Sequence, residues 1–406
     1  MTDSHRIKPS ILFIVPANYE ELKAKGVENM ILERDEGGFF GKVITVHPFC
    51  DKTRSIVLNG THEIHEVGFD LIPGSERLRL LKYVQAPLHF FRVLWTVVSL
   101  CRTSGINLIR ANDPFWMGLF GLLASRICGI PYCVSIHTDY DKVMEMDPSI
   151  SVSRVFGSYQ LAKRLERIVF SQAAMILPIS QWLAKKAAEC GADLGKINVI
   201  RHGIDLSPFN APPKNHVREY FGIDPSKKIV SVVARVSKDK YVDDVLKIAK
   251  NLAQRRNDFV IIIAGGGKDE NRIRAEVSGD SVLANCVVLA GFQSRDMCMD
   301  LGRAAEASIC LLAGFGLIEA CAAGRPVVAY DVEWHSELLE EKVTGFLVFE
   351  NDFVGAAEKL DWIFDHPVEA ELMGREARGR AFERHSIANA SAIKVRWYKQ
   401  ILAEAA

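Results

Sequence analysis

Residues Cys310–Val348 read CLLAGFGLIEACAAGRPVVAYDVEWHSELLEEKVTGFLV. The apolar run predicts a strand over Ala307–Leu312, followed by a turn carrying Gly314 and Gly316. A helix is predicted to open near Leu317, with Glu319 in its first turn, and Gly324-Arg325 leads into a second strand, Pro326–Tyr330. This succession is the repeat of a parallel βα fold. It is also the order of a ligand site, because amides at a helix start suit a phosphate or sugar hydroxyl and glycines let the ligand come close. Taken alone the turn fits an ordinary strand–turn–helix–strand unit equally well, since short glycine loops are weak signals.

The same rhythm continues outward. In the first half it predicts strands at Ser10–Val15, Lys42–His47, Leu108–Ala111, Tyr132–Ile136 and Met175–Pro178. Amphipathic helices are predicted at Val84–Cys101, Trp116–Cys128, Arg154–Gln172 and Gln181–Cys190. In the second half, Ile229–Ala234, Val260–Ala264 and Cys286–Leu289 precede the two strands named above. A chain of 406 residues exceeds one ordinary core. Two α/β halves follow, joined near Ile197–Asn215, where Pro208, Pro212 and Pro213 oppose helix and central strand alike.

Composition narrows the function classes. The formal net charge is zero, which argues against a nucleic-acid binder working through a broad basic face. The nine cysteines form no CxxC pair, so neither a zinc nor a disulfide framework is expected, and a reducing cytosol fits best. No stretch has the length of a membrane span, and the polar start followed by the short run Ile11–Val15 does not read as a signal peptide. No GxGxxG follows the first strand, which disfavours a dinucleotide-binding oxidoreductase.

Several residues stand where chemistry is expected. Arg235 and Lys240 follow Ile229–Ala234, at the carboxyl end of a parallel strand, where open α/β sheets place ligands. A planar fork and a point charge together suit a diphosphate. They also fit a solvated loop balanced by its own aspartates. His137 lies just past Tyr132–Ile136, with Asp139 and Asp141 close behind. Gly265, Gly266 and Gly267 follow Val260–Ile263 and either admit a nucleotide or make a flexible connector. Phe39 and Phe40, flanked by Gly38 and Gly41, could pack on a sugar or lipid or be buried. Arg77–Trp95 mixes basic and aromatic residues, as an interfacial helix or an ordinary packed one would.

Together, GFGLIEACAAGRPVVA, Glu337 and VTGFLV resemble the donor-site signature of retaining glycosyltransferases of family 4. NVIRHGIDLSPF resembles the start of that family's second domain, and Arg235 and Lys240 keep its Arg-then-Lys spacing. The resemblance implies a GT-B fold, two Rossmann-like domains facing across a cleft. It implies an acceptor-side domain over residues 1–195 with the terminal helix 387–406 packing back, and a donor domain over 196–386. Arg235 and Lys240 would stabilise the departing diphosphate, and His137 would face the donor sugar. Glu319 would hold the ribose, backbone at Gly314, Phe315, Gly316, Leu317 and Ile318 the phosphate or sugar, and Gly265 and Gly266 the base. No metal or other cofactor is expected. The partners would be a nucleoside-diphosphate sugar and a sugar, lipid-linked or glycan acceptor, with no nucleic acid, in the cytosol or peripherally at the inner membrane face. A nucleotide-sugar epimerase of similar fold and a non-catalytic sugar-nucleotide-binding partner are the alternatives. One departure is plain: the family's first Glu is missing, since eight residues before Glu319 stands Leu311 and just before the turn stands Ala313.

Overall fold

The computed structural model describes residues 8–24, 29–69, 79–142 and 158–405. The chain divides into two compact units, Met1–Arg201 with Ala390–Ala406, and His202–Asn389.

In the first unit, among the described residues, seven strands form one sheet: β1 (Ser10–Ile14), β2 (Lys42–Cys50), β3 (Arg54–Val57), β4 (His62–Gly68), β5 (Leu108–Ala111), β6 (Tyr132–Ile136) and β7 (Met175–Pro178). Their order is β3-β4-β2-β1-β5-β6-β7, parallel except for the β3–β4 pair. The parallel strands are buried on both faces, which is why they read as continuous apolar runs. The hairpin β3–β4 was not expected from the sequence. It lies at the sheet edge and is rich in charge: Glu66 pairs with Arg54, and Glu63 with Lys42 at 3.1 Å.

The terminal helix Ile387–Glu404 sends Tyr398 and Ile401 into the core of this unit, beside Phe13, Phe40 and Cys133. The Phe40 and Tyr398 rings meet edge to face with centroids 5.2 Å apart, and Phe39 packs on Phe40 at 4.8 Å. Phe40 is therefore core, not an outward sugar platform. A buried polar group locks the helix: Glu36 accepts from Lys394 Nζ and Ser391 Oγ, each at 2.7 Å. Arg110 reaches the Tyr398 hydroxyl, and Arg34 and Arg110 both stack on Phe13, 5.2 and 5.4 Å from its centre.

The second unit holds β8 (Lys228–Val233), β9 (Phe259–Ala264), β10 (Val287–Gly291), β11 (Ala307–Ile309), β12 (Val327–Tyr330) and β13 (Gly345–Val348). They pair in the order β10-β9-β8-β11-β12-β13, all parallel. Counted from β8, this is the 3-2-1-4-5-6 order of a doubly wound sheet, with its switch point between β8 and β11. Two core layers cover the sheet faces, one including Ile261, Val328 and Leu360, the other Leu317, Cys321 and Ala329. Among the described residues, no helix is long and apolar enough to cross a membrane.

Candidate functional site

The switch point assembles the second unit's sequence-predicted residues. At the carboxyl end of β8 the chain enters the loop Ala234–Tyr241. Arg235 there has a side chain 70 % exposed and meets Asp239 at 3.0 Å. Lys240 folds inward instead and donates from Nζ to the Leu312 carbonyl at 3.2 Å, which sets its ammonium against the segment after β11. Burial, and then the neighbouring Arg235 cation, hold the Lys240 amine below the usual lysine range. Tyr241 closes the loop in a left-handed conformation, φ 55°, and its carbonyl begins the helix Val242–Ala253.

The segment after β11 is longer than the sequence suggested. The strand ends at Ile309 rather than Leu312, and the helix runs from Phe315 to Ala322, opening two residues early. Glu319 therefore sits in its second turn, not its first. Leu311 is only 3 % exposed and belongs to the core, so that position presents nothing to a ligand. Leu317 and Ile318 likewise bury their side chains, leaving only backbone to offer. A Cβ at Gly314 would meet no atom within 4 Å, so the turn faces open space. Phe315 is partly exposed and packs edge to face on His202, centroids 5.1 Å apart. His202 therefore lies against the turn.

Gly265 and Gly267 have a reason of their own to be glycine. A Cβ on Gly265 would fall 1.9 Å from the Ala234 carbonyl oxygen, and one on Gly267 2.3 Å from that of Val236. The close approach that needs these glycines is thus between two loops of the chain itself. Gly266 accepts from Val236 N at 3.0 Å.

Glu319 is engaged. Arg295 reaches its Oε1 through Nε at 3.3 Å and Nη2 at 3.2 Å, and Nη2 also donates to the Asp205 carbonyl at 3.0 Å. Sequence reading overlooked Arg295, the first residue of the helix Arg295–Ala304 that follows β10. It also overlooked His335. This ring is fully buried, lies 2.9 Å from the Tyr330 carbonyl through Nδ1, and sets Nε2 3.3 Å from Ala313 N and 3.2 Å from Ala313 O. It joins the loop after β12 to the glycine turn after β11. Burial lowers the His335 pKa and so favours the neutral ring.

His137 belongs to the first unit, just past β6. Its Nε2 is 3.0 Å from Ser135 Oγ, which accepts from Arg110 Nε at 3.3 Å, so the ring is connected through Arg110 to Tyr398. Asp139 accepts from the amides of Asp141 and Lys142, and Asp141 is bridged to Lys163 at 3.1 Å. Both aspartates thus have partners within the first unit. Asp113, at the carboxyl end of β5, is pushed up to about 6 by burial while accepting from the Phe115 and Met117 amides. On the helix Arg79–Thr103, Leu88, Phe91 and Trp95 are exposed on one side, Trp95 by 74 %. Arg92 is held by Thr53 Oγ1 at 2.7 Å, and Arg77 with the side chains of Arg79 and Lys82 lies outside the described residues. Among the described residues, no three His, Cys, Asp or Glu side chains gather as a metal site.

Comparison with known proteins supplies the context. Residues 214–380 match the family described as "Glycosyl transferases group 1", and residues 20–208 match "Glycosyltransferase Family 4". A 2-deoxystreptamine glucosyltransferase of Streptomyces kanamyceticus is 25% identical over 305 residues, covering 72% of this chain and 77% of its own. A D-inositol 3-phosphate glycosyltransferase of Pseudarthrobacter chlorophenolicus is 27% identical over 290 residues, 66% of each chain. Among solved structures, HepE of Anabaena in complex with UDP superposes with a TM-score of 0.70 at 17% identity, covering 96% of this chain and 100% of that one. Sucrose-phosphate synthase of Thermosynechococcus elongatus gives 0.72 at 17% identity, covering 98% and 100%.

Proposed function

The chain belongs to the glycosyltransferases of group 1 and family 4, with the GT-B fold, and we propose that its donor is a nucleoside-diphosphate sugar whose glycosyl group passes to an acceptor hydroxyl with retention of configuration. The observation that carries the donor assignment is the switch point. Lys240 from the loop after β8 lies against the open glycine turn after β11, where a doubly wound sheet takes its ligand. HepE has been crystallised with UDP and with UDP-glucose, which supports the same donor class here.

In this reading the diphosphate lies between the Arg235 and Lys240 cations and the amide end of the Phe315–Ala322 helix, where the helix dipole favours an anion. As the bond from the anomeric carbon to the diphosphate oxygen breaks, those cations meet the developing negative charge; such stabilisation is commonly the largest catalytic term. The acceptor oxygen bonds to the anomeric carbon on the same face, and its proton passes to the leaving phosphate. Glu319 takes the ribose hydroxyls, and Gly265 and Gly266 border the base. No metal is assigned a role. We place the protein in the cytosol, with Leu88, Phe91 and Trp95 as the part of its surface suited to a membrane face.

Calorimetry with UDP, GDP and ADP tests the reading. One of them is expected to bind at micromolar concentration, and the matching sugar nucleotide to be consumed only when acceptor extract is added. NMR of the product gives its anomeric configuration. Absence of binding to every nucleoside diphosphate at millimolar concentration would overturn the donor class.

A further inference from the structure

We propose that Ser231 and Ser308, buried beneath the glycine turn, are positioning residues that hold Glu319 through water in a cavity they share with it. This rests on the donor reading above, in which Glu319 takes the ribose hydroxyls, and supplies the support that carboxylate has from beneath.

The cavity lies within the second unit, at the switch point. β8 and β11 form its floor, and the helices Arg295–Ala304 and Phe315–Ala322 close over it. Its volume is about 30 Å³. Strand alternation brings Ser231 of β8 and Ser308 of β11 to this face, where they are register partners on adjacent strands. Apolar side chains such as Phe209, Met299 and Ala320 make much of the wall. Among the described residues that line it, three side chains carry oxygen: Ser231, Ser308 and Glu319.

The hydrogen-bond capacity of these groups sets what the cavity can hold. The two serine hydroxyls are 2.7 Å apart, and each residue is 2 % exposed. A hydroxyl has one proton to donate and two lone pairs. Their mutual bond uses one proton, so the pair keeps an O–H to give, with no further partner among the contacts described. A buried donor left unmatched is costly. At the opposite wall, Arg295 reaches Glu319 through Oε1 alone, at 3.2 and 3.3 Å, and Oε2 has no partner among the contacts described. One water needs roughly 10–15 Å³ and two to four polar partners. The cavity meets both conditions: water there accepts the spare serine proton and donates to Glu319 Oε2. The Cys298 and Cys310 thiols in the wall are weak partners by comparison, and that of Cys310 lies toward the Gly316 carbonyl at 3.9 Å.

The consequence falls on the ribose. A carboxylate held at one oxygen by a half-exposed arginine is free to turn. A second contact from beneath fixes its plane, so that it meets two vicinal hydroxyls already oriented.

Three variants test this: Ser231→Ala, Ser308→Ala, and Ser308→Ala combined with Glu319→Ala. Calorimetry measures their affinities for UDP, GDP, ADP and inorganic pyrophosphate, which has no ribose, with melting temperature as the control for folding. A crystal structure of the wild type locates the water, expected within hydrogen-bond distance of a serine Oγ and of Glu319 Oε2. Each serine variant should bind the preferred nucleoside diphosphate about fivefold more weakly, the worth of roughly one water-mediated contact, and pyrophosphate as the wild type does. Once Glu319 is alanine, Ser308→Ala should have no further effect. Equal losses for nucleotide and pyrophosphate would make the serines part of the turn's shape and overturn the positioning role. Unchanged nucleotide affinity, or a cavity without water density, would overturn it too while the donor reading stands. If the wild type itself binds no nucleoside diphosphate, both fall together.

Discussion

The two units use the same residue types in opposite ways. In the second, Arg235 and Lys240 stand on a strand-end loop, one largely exposed and the other bonded only to a main-chain carbonyl among the contacts described. In the first, Arg110 and Lys394 are enclosed, with Arg34 beside them, and are matched by Glu36, the Tyr398 hydroxyl and the Phe13 ring. A cation with its partners built in is part of the fold. A cation held by a neutral carbonyl at a sheet's switch point keeps its charge available for an anion. Between Lys240 and Lys394, the partner rather than the charge separates the functional cation from the structural one.

The first way to break that comparison is to unpair the structural group. Glu36→Gln leaves the Lys394 ammonium facing a neutral amide in a buried site, and breaking such a pair costs about 3–5 kcal/mol. Denaturant unfolding should show that loss, with nucleoside diphosphate affinity unchanged in the folded protein. A stability within about 1 kcal/mol of wild type would mean the pair is not a lock. The converse is Lys240→Ala. Removing one donor from an electrostatic site typically costs about 100-fold in turnover, equivalent to about 2.7 kcal/mol in the barrier. The melting temperature should barely move, because the bond lost is to one carbonyl. A large drop in melting temperature with activity retained would reverse the roles assigned to the two units.

How much of this could be read from residues alone depends on the kind of interaction. Buried parallel strands were legible because both faces are apolar: Leu108–Ala111, Tyr132–Ile136 and Met175–Pro178 fall where the runs put them. The β3–β4 hairpin was hidden because HEIHEVG alternates charge with apolar groups, and its charges find partners only across the sheet. The same holds at the site. Arg235, Lys240 and the glycine turn carry a spacing that can be recognised, whereas His335 and Arg295 matter because the fold sets one against the turn and the other against Glu319. Nothing local marks His335: its significance is that it touches Tyr330 and Ala313 at once. The fault in placing Glu319 had a similar origin. The helix start depends on Gly314 acting as its first flanking residue, and this moved the carboxylate into the second turn.

The smallest expected effect probes a residue that falls between the two classes. Glu319 has a partner, Arg295, but the pair is partly exposed, with side chains 30% and 53% accessible. Such pairs contribute roughly 0–1 kcal/mol, so Arg295→Ala should leave stability nearly unchanged. Its consequence lies in binding. If Glu319 accepts the ribose hydroxyls, it must first give up part of its contact with Arg295, and removing that competitor should tighten nucleoside diphosphate binding by about threefold. Glu319→Ala should weaken the same affinity, and the double variant should match Glu319→Ala, because Arg295 then has nothing to withhold. Calorimetry on the three variants checks this. Weaker binding in Arg295→Ala would make the guanidinium a direct ligand contact, and Glu319 the group that aims it.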